Sequence, residues 1–264
     1  MFAAQRISKI KEILIEKKQI DVITLSNMLS VSEVTVRRDL EKLESENFLT
    51  RTHGGATVNE QYGQNDTQVI IPYDDEYFNE KKIIGQIAAC MVNDNDTLIL
   101  GPGNTCKHIA QNIENRKNIR AITTDILVAI ELLNNSSDIK VVLTGGDIDK
   151  NTYQLSGKIA ENNIRNYFVN LAFVEVDGVS MERGYTVDSI EKASIIHDIM
   201  SVAREVIAVF NYSKFDNVSF SPLGPINMFT KVISNEQSPE KYKKFYFENN
   251  IKFFTTFDVY RGGK

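Results

Sequence analysis

Cysteine and histidine are scarce in this 264-residue chain: Cys90 and Cys106 are its two cysteines, and His53, His108 and His197 its three histidines. Two thiols cannot make a disulfide framework, and no spacing among these five residues suits a metal site, so neither disulfide nor metal chemistry is expected. Long hydrophobic runs are missing too. No apolar stretch approaches the roughly 18–20 residues that span a bilayer, and the N-terminus lacks the order of a signal peptide, so the expectation is a cytoplasmic protein with no membrane partner. A surplus of positive charge is also absent. Lysine and arginine total 30 against 35 acidic residues, a net charge of −5 that by itself speaks against a nucleic-acid partner.

What is present is an ordinary globular mix, 42% hydrophobic and 25% charged, long enough for one large domain or two smaller ones. The charge is unevenly placed. Residues 1–60 carry nine basic and nine acidic residues, so the acidic excess lies beyond them. Arg6, Lys9, Lys11, Lys17 and Lys18 outnumber Glu12 and Glu16 near the start, and Arg37-Arg38 form a second positive focus. An acidic total therefore leaves room for a small DNA-binding domain.

Ile7, Ile10, Ile13 and Leu14 recur at helical spacing, and Ile20-Asp21-Val22-Ile23 alternates as a short strand does. Thr24 is a candidate N-cap for a second helix with Leu25, Met28 and Leu29 on one face, and Ser32 for a third. On the third helix Val36, Leu40 and Leu43 share one stripe, which turns Val34, Arg38, Glu41 and Ser45 outward, with Arg37 on the flank and Thr35 on the other side. Asn47 is placed to end this helix. Phe48 to His53 then reads as a strand and Gly54-Gly55 as a turn, completing a winged helix-turn-helix over residues 1–57.

Residues 58–78, rich in Asn, Gln and Asp and without sustained periodicity, read as a linker. Beyond it, over 79–264, apolar runs alternate with loops and helices: Leu98-Ile99-Leu100 before GPGNT, Arg120 to Thr124, Val141-Val142-Leu143 before Gly145-Gly146, Ala172-Phe173-Val174 before Asp177-Gly178, and Val206 to Phe210 before Ser213-Lys214. A helix is expected around Ala193–Ala203, and the tail from Tyr242 to Phe257 reads as a terminal helix and edge strand. The expected class is α/β, with a mostly parallel sheet.

Two constellations carry chemistry. In VSEVTVRRDL, arginines on a capped helix suit guanine edges or phosphates, while Ser and Thr hydroxyls hold the backbone; Ser32, Val34, Thr35, Arg37 and Arg38 are the candidate DNA-binding residues. The second is the set of loops at the strand ends, where open α/β sheets bind ligands. Gly103, Asn104 and Thr105 open a helix and can offer N–H groups to an anion, Pro102 removing one donor. Thr123, Thr124, Gly145, Gly146, Asp177 and Lys214 add hydroxyls, open backbone, a carboxylate and an ammonium, a set suited to a phosphosugar. A structural role for each singly is the plainer alternative. Cys106, at a helix start that lowers thiol pKa, is a lesser candidate for an oxidation-sensitive thiol.

VSEVTVRRDL followed by LTRTHGGA resembles the N-terminal domain of the DeoR family of bacterial transcriptional regulators, matched at Val31, Ser32, Thr35, Arg37 to Leu40, Leu49, Arg51 and His53 to Ala56. The resemblance adds Arg51 and His53, in the wing, to the DNA-binding set. From Lys81 to Asn235 the chain is similar to the family's sensor domain, which is related in fold to ribose-5-phosphate isomerase and senses phosphorylated sugars or related metabolites; Gly103, Thr105, Gly145, Gly146, Gly157 and Lys214 fall on its motifs. GPGNT is similar to the subgroup that represses lactose or galactose phosphotransferase operons, with tagatose 6-phosphate as effector.

The resemblance implies a repressor of a carbohydrate operon that binds double-stranded operator DNA as a homodimer or homotetramer and needs no cofactor. Three residues depart from the pattern: Asp125 after Thr124, Glu175 in place of a usual glycine, and Asn211 in place of a usual aspartate. If Asp125 and Glu175 face the pocket, they repel a phosphate or prefer amine or hydroxyl groups. A sugar-phosphate isomerase with Asp177 as general base and an accessory winged helix is the rival reading; no second carboxylate accompanies Asp177 at a convincing position.

Overall fold

A computed structural model describes residues 3–45, 48–52, 54–59, 76–135 and 138–256. The chain divides into two units, Met1–Asp74 and Asp75–Lys264. His53, Asn47 and most of the expected linker lie outside the described residues; of the linker's ends, Val58 is in a strand and Phe78 in a helix.

The first unit runs α1 (Ala3–Lys17), β1 (Gln19–Asp21), α2 (Val22–Leu29), α3 (Glu33–Ser45), β2 (Leu49–Arg51) and β3 (Gly55–Val58), with the strands in the order β1-β3-β2, all antiparallel. Ile10, Leu14, Leu25, Val36, Leu40, Leu43 and Leu49 fill one core. Burying each such side chain stabilises the fold by about 1.5–3 kcal/mol, which offsets the ordering of a unit this small. The strand expected through Ile23 is shorter. Asp21, not Thr24, caps α2: its carboxylate accepts from the Thr24 N–H at 2.8 Å and from the Thr24 hydroxyl at 2.7 Å. An aspartate oxygen satisfies the open N–H groups of a helix start, so the helix begins three residues before the expected position. Ser32 does cap α3, accepting from Thr35 N at 3.3 Å.

The second unit is built on a seven-stranded parallel sheet. In chain order it runs α4 (Phe78–Ala89), β4 (Thr97–Leu100), α5 (Asn104–Asn112), β5 (Ile119–Thr123), α6 (Ile126–Asn134), β6 (Ile139–Leu143), β7 (Asp147–Ile148), β8 (Leu155–Ser156), α7 (Gly157–Ile164), β9 (Val169–Glu175), β10 (Gly178–Ser180), β11 (Gly184–Val187), α8 (Ile190–Val202), β12 (Ala203–Val209), β13 (Ser221–Gly224), β14 (Lys231–Ile233), α9 (Glu240–Glu248) and β15 (Lys252–Phe254). The sheet order is β15-β14-β12-β9-β4-β5-β6, while β10, β11 and β13 form a small antiparallel sheet and β7 pairs with β8.

Both faces of the large sheet are covered, so its central strands are apolar on both sides, as parallel strands require. Ile84 and Ile87 of α4, Ile109 of α5 and Val128 and Leu132 of α6 pack on one face. Ile164 of α7, Ile195, Ile196 and Ile199 of α8, and Tyr242 and Tyr246 of α9 belong to the other core. The tail folds as expected, into a helix and an edge strand. Strand order reverses direction between β4 and β9. Loops leaving those two strands diverge, which opens a crevice at their carboxyl ends.

Candidate functional site

In the first unit the exposed face of α3 is set by its buried one. Val36, Asp39, Leu40 and Leu43 are buried, and Val34, Arg37, Arg38, Glu41 and Ser45 are exposed, Val34 to 65%. Ser32 and Thr35 present hydroxyls 2.9 Å apart at the N-terminal end. Arg37 has a loose ion pair with Glu33 at 3.8 Å, and Arg38 makes no ion pair or hydrogen bond among the described residues. Asp39 is a charge on the buried stripe. Arg6 of α1 meets it with Nε on one carboxylate oxygen and Nη2 on the other at 3.1 Å.

Arg51, the wing residue expected at the DNA, bonds to two acids of α3. Its Nε donates to Glu44 at 2.7 Å and its Nη1 to Glu41 at 2.9 Å, while its backbone N–H donates to Glu44 at 3.0 Å. The guanidinium braces β2 against α3, and Glu44 is held below the usual carboxylate range by these hydrogen bonds. Nε and Nη1 are engaged in these exposed pairs, and Nη2 makes no hydrogen bond among the described residues.

In the second unit the loop Gly101–Thr105 enters the crevice between β4 and β9, and two of its N–H groups donate to carboxylates. Gly103 N donates to Asp125 Oδ2 at 3.0 Å, and Thr105 N to Glu175 Oε2 at 2.8 Å. Gly103 has φ +128°, and a Cβ there would stand 2.2 Å from Glu175 Oε2. Only glycine therefore lets the Glu175 carboxylate lie against the start of α5, where the helix dipole favours a negative charge. Two carboxylates of the protein thus stand at the loop where an anion was expected.

Burial is the main cost of this arrangement. It pushes Asp125 up to about 6, against the pull of hydrogen bonds from Gly103, Val128 and Leu127, and Glu175 is raised by burial against the opposing pull of Lys192 and Lys81. Cys106 is fully buried, and burial with the nearby Glu175 and Asp125 drives its thiol well above the usual range. Such a thiol is inert, which removes it as an oxidation-sensitive group.

The remaining expected ligands divide into structural parts and open ones. Asp177 Oδ2 accepts from Lys192 Nζ at 2.7 Å and from Asp188 N at 3.0 Å, so this carboxylate is engaged. Thr123 Oγ1 accepts from Asp125 N at 3.1 Å. Gly145 and Gly146 have φ of +73° and +117°, a turn that glycine makes without strain, and a Cβ on Gly146 would lie 2.4 Å from Ser156 O. Asn104 is partly exposed at the first turn of α5, and Lys214 is partly exposed in a short 3-10 turn, Tyr212–Lys214. Asn211 caps that turn, accepting from Ser213 N at 2.9 Å and Ser213 Oγ at 2.6 Å, bonds that need only its side-chain oxygen. Thr105 and Thr124 are different: both hydroxyls are buried with no hydrogen-bond partner.

A cleft of about 300 Å³ lies beside this cluster, walled by Pro102 of the β4 loop, the β7–β8 hairpin and the first turn of α8. None of the nine expected ligands lines it. Gln154, Ser156, Asp188, Ser189 and Lys192 do, along with Asp149 and Glu191. Lys192 connects cleft and cluster: it lines the cleft, bonds Asp177 and is held above the usual lysine value because Asp177, Glu175 and Asp188 together outweigh its burial. The sequence does contain a signal for it. Lys192 shares the helical stripe of Ile195, Ile196 and Ile199, and a lysine on an apolar stripe needs a buried partner.

Two family models match the chain: "DeoR-like helix-turn-helix domain" over residues 6–62 and "DeoR C terminal sensor domain" over residues 76–236. The chain belongs to the DeoR family. An HTH-type transcriptional regulator from Listeria innocua, GolR, is 30% identical over 93% of this chain and 96% of its own length. The transcriptional repressor GlcR of Bacillus subtilis is 28% identical over 97% of each chain, and the lactose phosphotransferase system repressor of Lactococcus lactis 29% over 91% of this chain and 94% of its own. Among solved structures, the DeoR chain is similar to a ribose 5-phosphate isomerase from Plasmodium falciparum over 51% of this chain and 52% of that one, at 16% identity and a TM-score of 0.37. This DeoR member is thus a DNA-binding transcriptional regulator with a sensor domain, and an isomerase is not favoured. Among the described residues no helix is long and apolar enough to cross a membrane.

Proposed function

We propose that this regulator represses an operon of carbohydrate metabolism, reading its operator with α3 and releasing it when a sugar-derived effector occupies the C-terminal unit. The observation that carries the reading is the exposed face of α3, where Val34, Arg37 and Arg38 stand clear of a stripe buried by Val36, Leu40 and Leu43. Arg38 has its fork free for a guanine edge, Arg37 is loosely held by Glu33, and Ser32 and Thr35 are placed for phosphate oxygens. Arg51 serves this surface as a brace. A relative named for repression of a lactose phosphotransferase system supports the carbohydrate assignment, for which the sequence resemblance suggests a phosphorylated effector.

A single α3 reads few base pairs, so the operator is bound by a homodimer or homotetramer whose recognition helices meet successive major grooves about 34 Å apart. The effector acts by binding the DNA-incompatible arrangement more tightly, and shifts the equilibrium by that difference alone. Fluorescence anisotropy with duplex fragments from the gene's own upstream region, at fixed salt, tests the docking. Arg38→Ala and Arg37→Ala each weaken binding by about 1–3 kcal/mol at a base-reading position while the melting temperature stays put. Unchanged affinity in both variants rules out α3 as the reading helix.

A further inference from the structure

Sugar-derived effectors come in two electrostatic kinds, phosphate esters and uncharged or amino compounds, and the cleft distinguishes them. A phosphate needs free N–H groups at a helix start or unpaired cations. Three helices begin at or beside this cleft, and each has an acid near its start, which at α5 accepts directly from a helix N–H. Glu175 takes Thr105 N at α5, Glu191 stands in the first turn of α8, whose cap is Ser189, and at α7 the Asp147 carboxylate lies 2.7 Å from where a Gly157 Cβ would be. The cleft wall carries Asp149, Asp188 and Glu191 against one ammonium, Lys192, which Asp177 holds at 2.7 Å.

A second observation is independent of the acids. Thr105 and Thr124 bury hydroxyls that have no partner, a costly state in a folded protein unless something else meets them. Thr124 adjoins the cleft wall through its backbone, its carbonyl accepting from the N–H of Leu155, a lining residue, at 2.7 Å, although neither threonine itself lines the cleft.

Resting on the effector reading above, we propose that this cleft takes an unphosphorylated, hydroxyl-rich ligand, a free sugar or polyol, whose hydroxyls donate to the protein's carboxylates. An amino substituent strengthens binding, because an ammonium meets the surrounding acids directly. Glu175 excludes the phosphate ester: it holds, as a covalently tethered anion, the place at the start of α5 that a phosphate would occupy.

The test is thermal unfolding of the full-length chain in two arms. In the first, wild type, Glu175→Gln and Glu175→Ala are compared in inorganic phosphate and in chloride of equal ionic strength. Wild type and Glu175→Gln, whose amide oxygen still accepts from Thr105, show no phosphate-specific shift, and Glu175→Ala gains one of several degrees. In the second, wild type is compared with galactitol, glucose and glucosamine against glucose 6-phosphate and tagatose 6-phosphate. An unphosphorylated compound near 100 times its Kd raises the midpoint by about 5 °C or more, and its phosphate ester does not.

A wild-type response to inorganic phosphate, or a phosphate ester that stabilises more than its parent compound, overturns the proposal. So does the absence of a phosphate response in Glu175→Ala together with no response of wild type to any unphosphorylated compound. Duplex binding by the same preparations separates the readings: intact DNA binding with failure of both arms removes only the effector class, whereas lost DNA binding removes the regulator reading of α3.

Discussion

Arg6 grips Asp39 through both carboxylate oxygens across 33 positions of sequence, tying α1 to the one charged residue on the buried stripe of α3. Asp39 directly follows Arg37 and Arg38. A two-point contact fixes direction as well as distance, so the pair sets the rotation of α3 about its axis and with it the angle at which both arginines leave the surface. Arg51, forked between Glu41 and Glu44, restrains the same helix from the wing side.

Asp39→Ala therefore lowers the stability of the N-terminal unit by about 1.5–3 kcal/mol, the usual worth of a charged hydrogen bond, and weakens operator binding although both reading arginines remain. A double-mutant cycle with Arg6→Ala, read by urea unfolding and anisotropy, gives the coupling. A coupling energy under about 0.5 kcal/mol assigns the pair no role in orienting α3.

Asp125 makes the sensor unit less stable at neutral pH than in mild acid. Its folded-state value is about 6 against an ordinary 3.8, so between those values the folded chain holds more protons than the unfolded one. Stability falls as pH rises through that window, by roughly 3 kcal/mol from this group alone, and Glu175 adds to the fall in the same direction. Urea midpoints at several pH values from 4.5 to 7.5 should decline for wild type and decline less for Asp125→Asn; equal slopes would clear Asp125 as the titrating group.

Lys192→Met leaves Asp177 and Glu175 without their shared cation in a buried setting. Removing one partner of a buried ion pair costs about 3–5 kcal/mol, and calorimetry should show the C-terminal transition moving down accordingly. Adding Asp177→Asn recovers part of the loss, since one stranded charge is then gone. A double variant no better than the single one would place the cost in packing.

Gly103→Ala combines a left-handed backbone with a clash against Glu175, so it destabilises by at least about 1–3 kcal/mol and displaces the carboxylate from Thr105 N. Glu175→Ala in the same chain relieves the clash but not the backbone strain, and partial recovery of the melting temperature separates the two.

Much of this was legible in residue order. The stripe of Val36, Leu40 and Leu43 located the outward face of α3, Ser32 its start, and the repeated strand-then-loop alternation the parallel sheet, because each depends on neighbours within a few residues. The cap of α2 is Asp21 and not Thr24, because a carboxylate is the stronger acceptor of the same local pair. The departures at Asp125 and Glu175 were visible as residue types, but their targets were not.

What the sequence determined by itself was the winged helix, the α/β class and the set of loops from which any site would be built, all consequences of periodicity and short-range chemistry. The tertiary structure decided how those loops are used. Gly103 meets Asp125 across 22 residues and Thr105 meets Glu175 across 70, and Lys192 is drawn to Asp177 from a different helix. A helix start offers the same N–H groups to a ligand's phosphate or to a glutamate from another strand, and only the packing of β9 beside β4 determines which of them arrives.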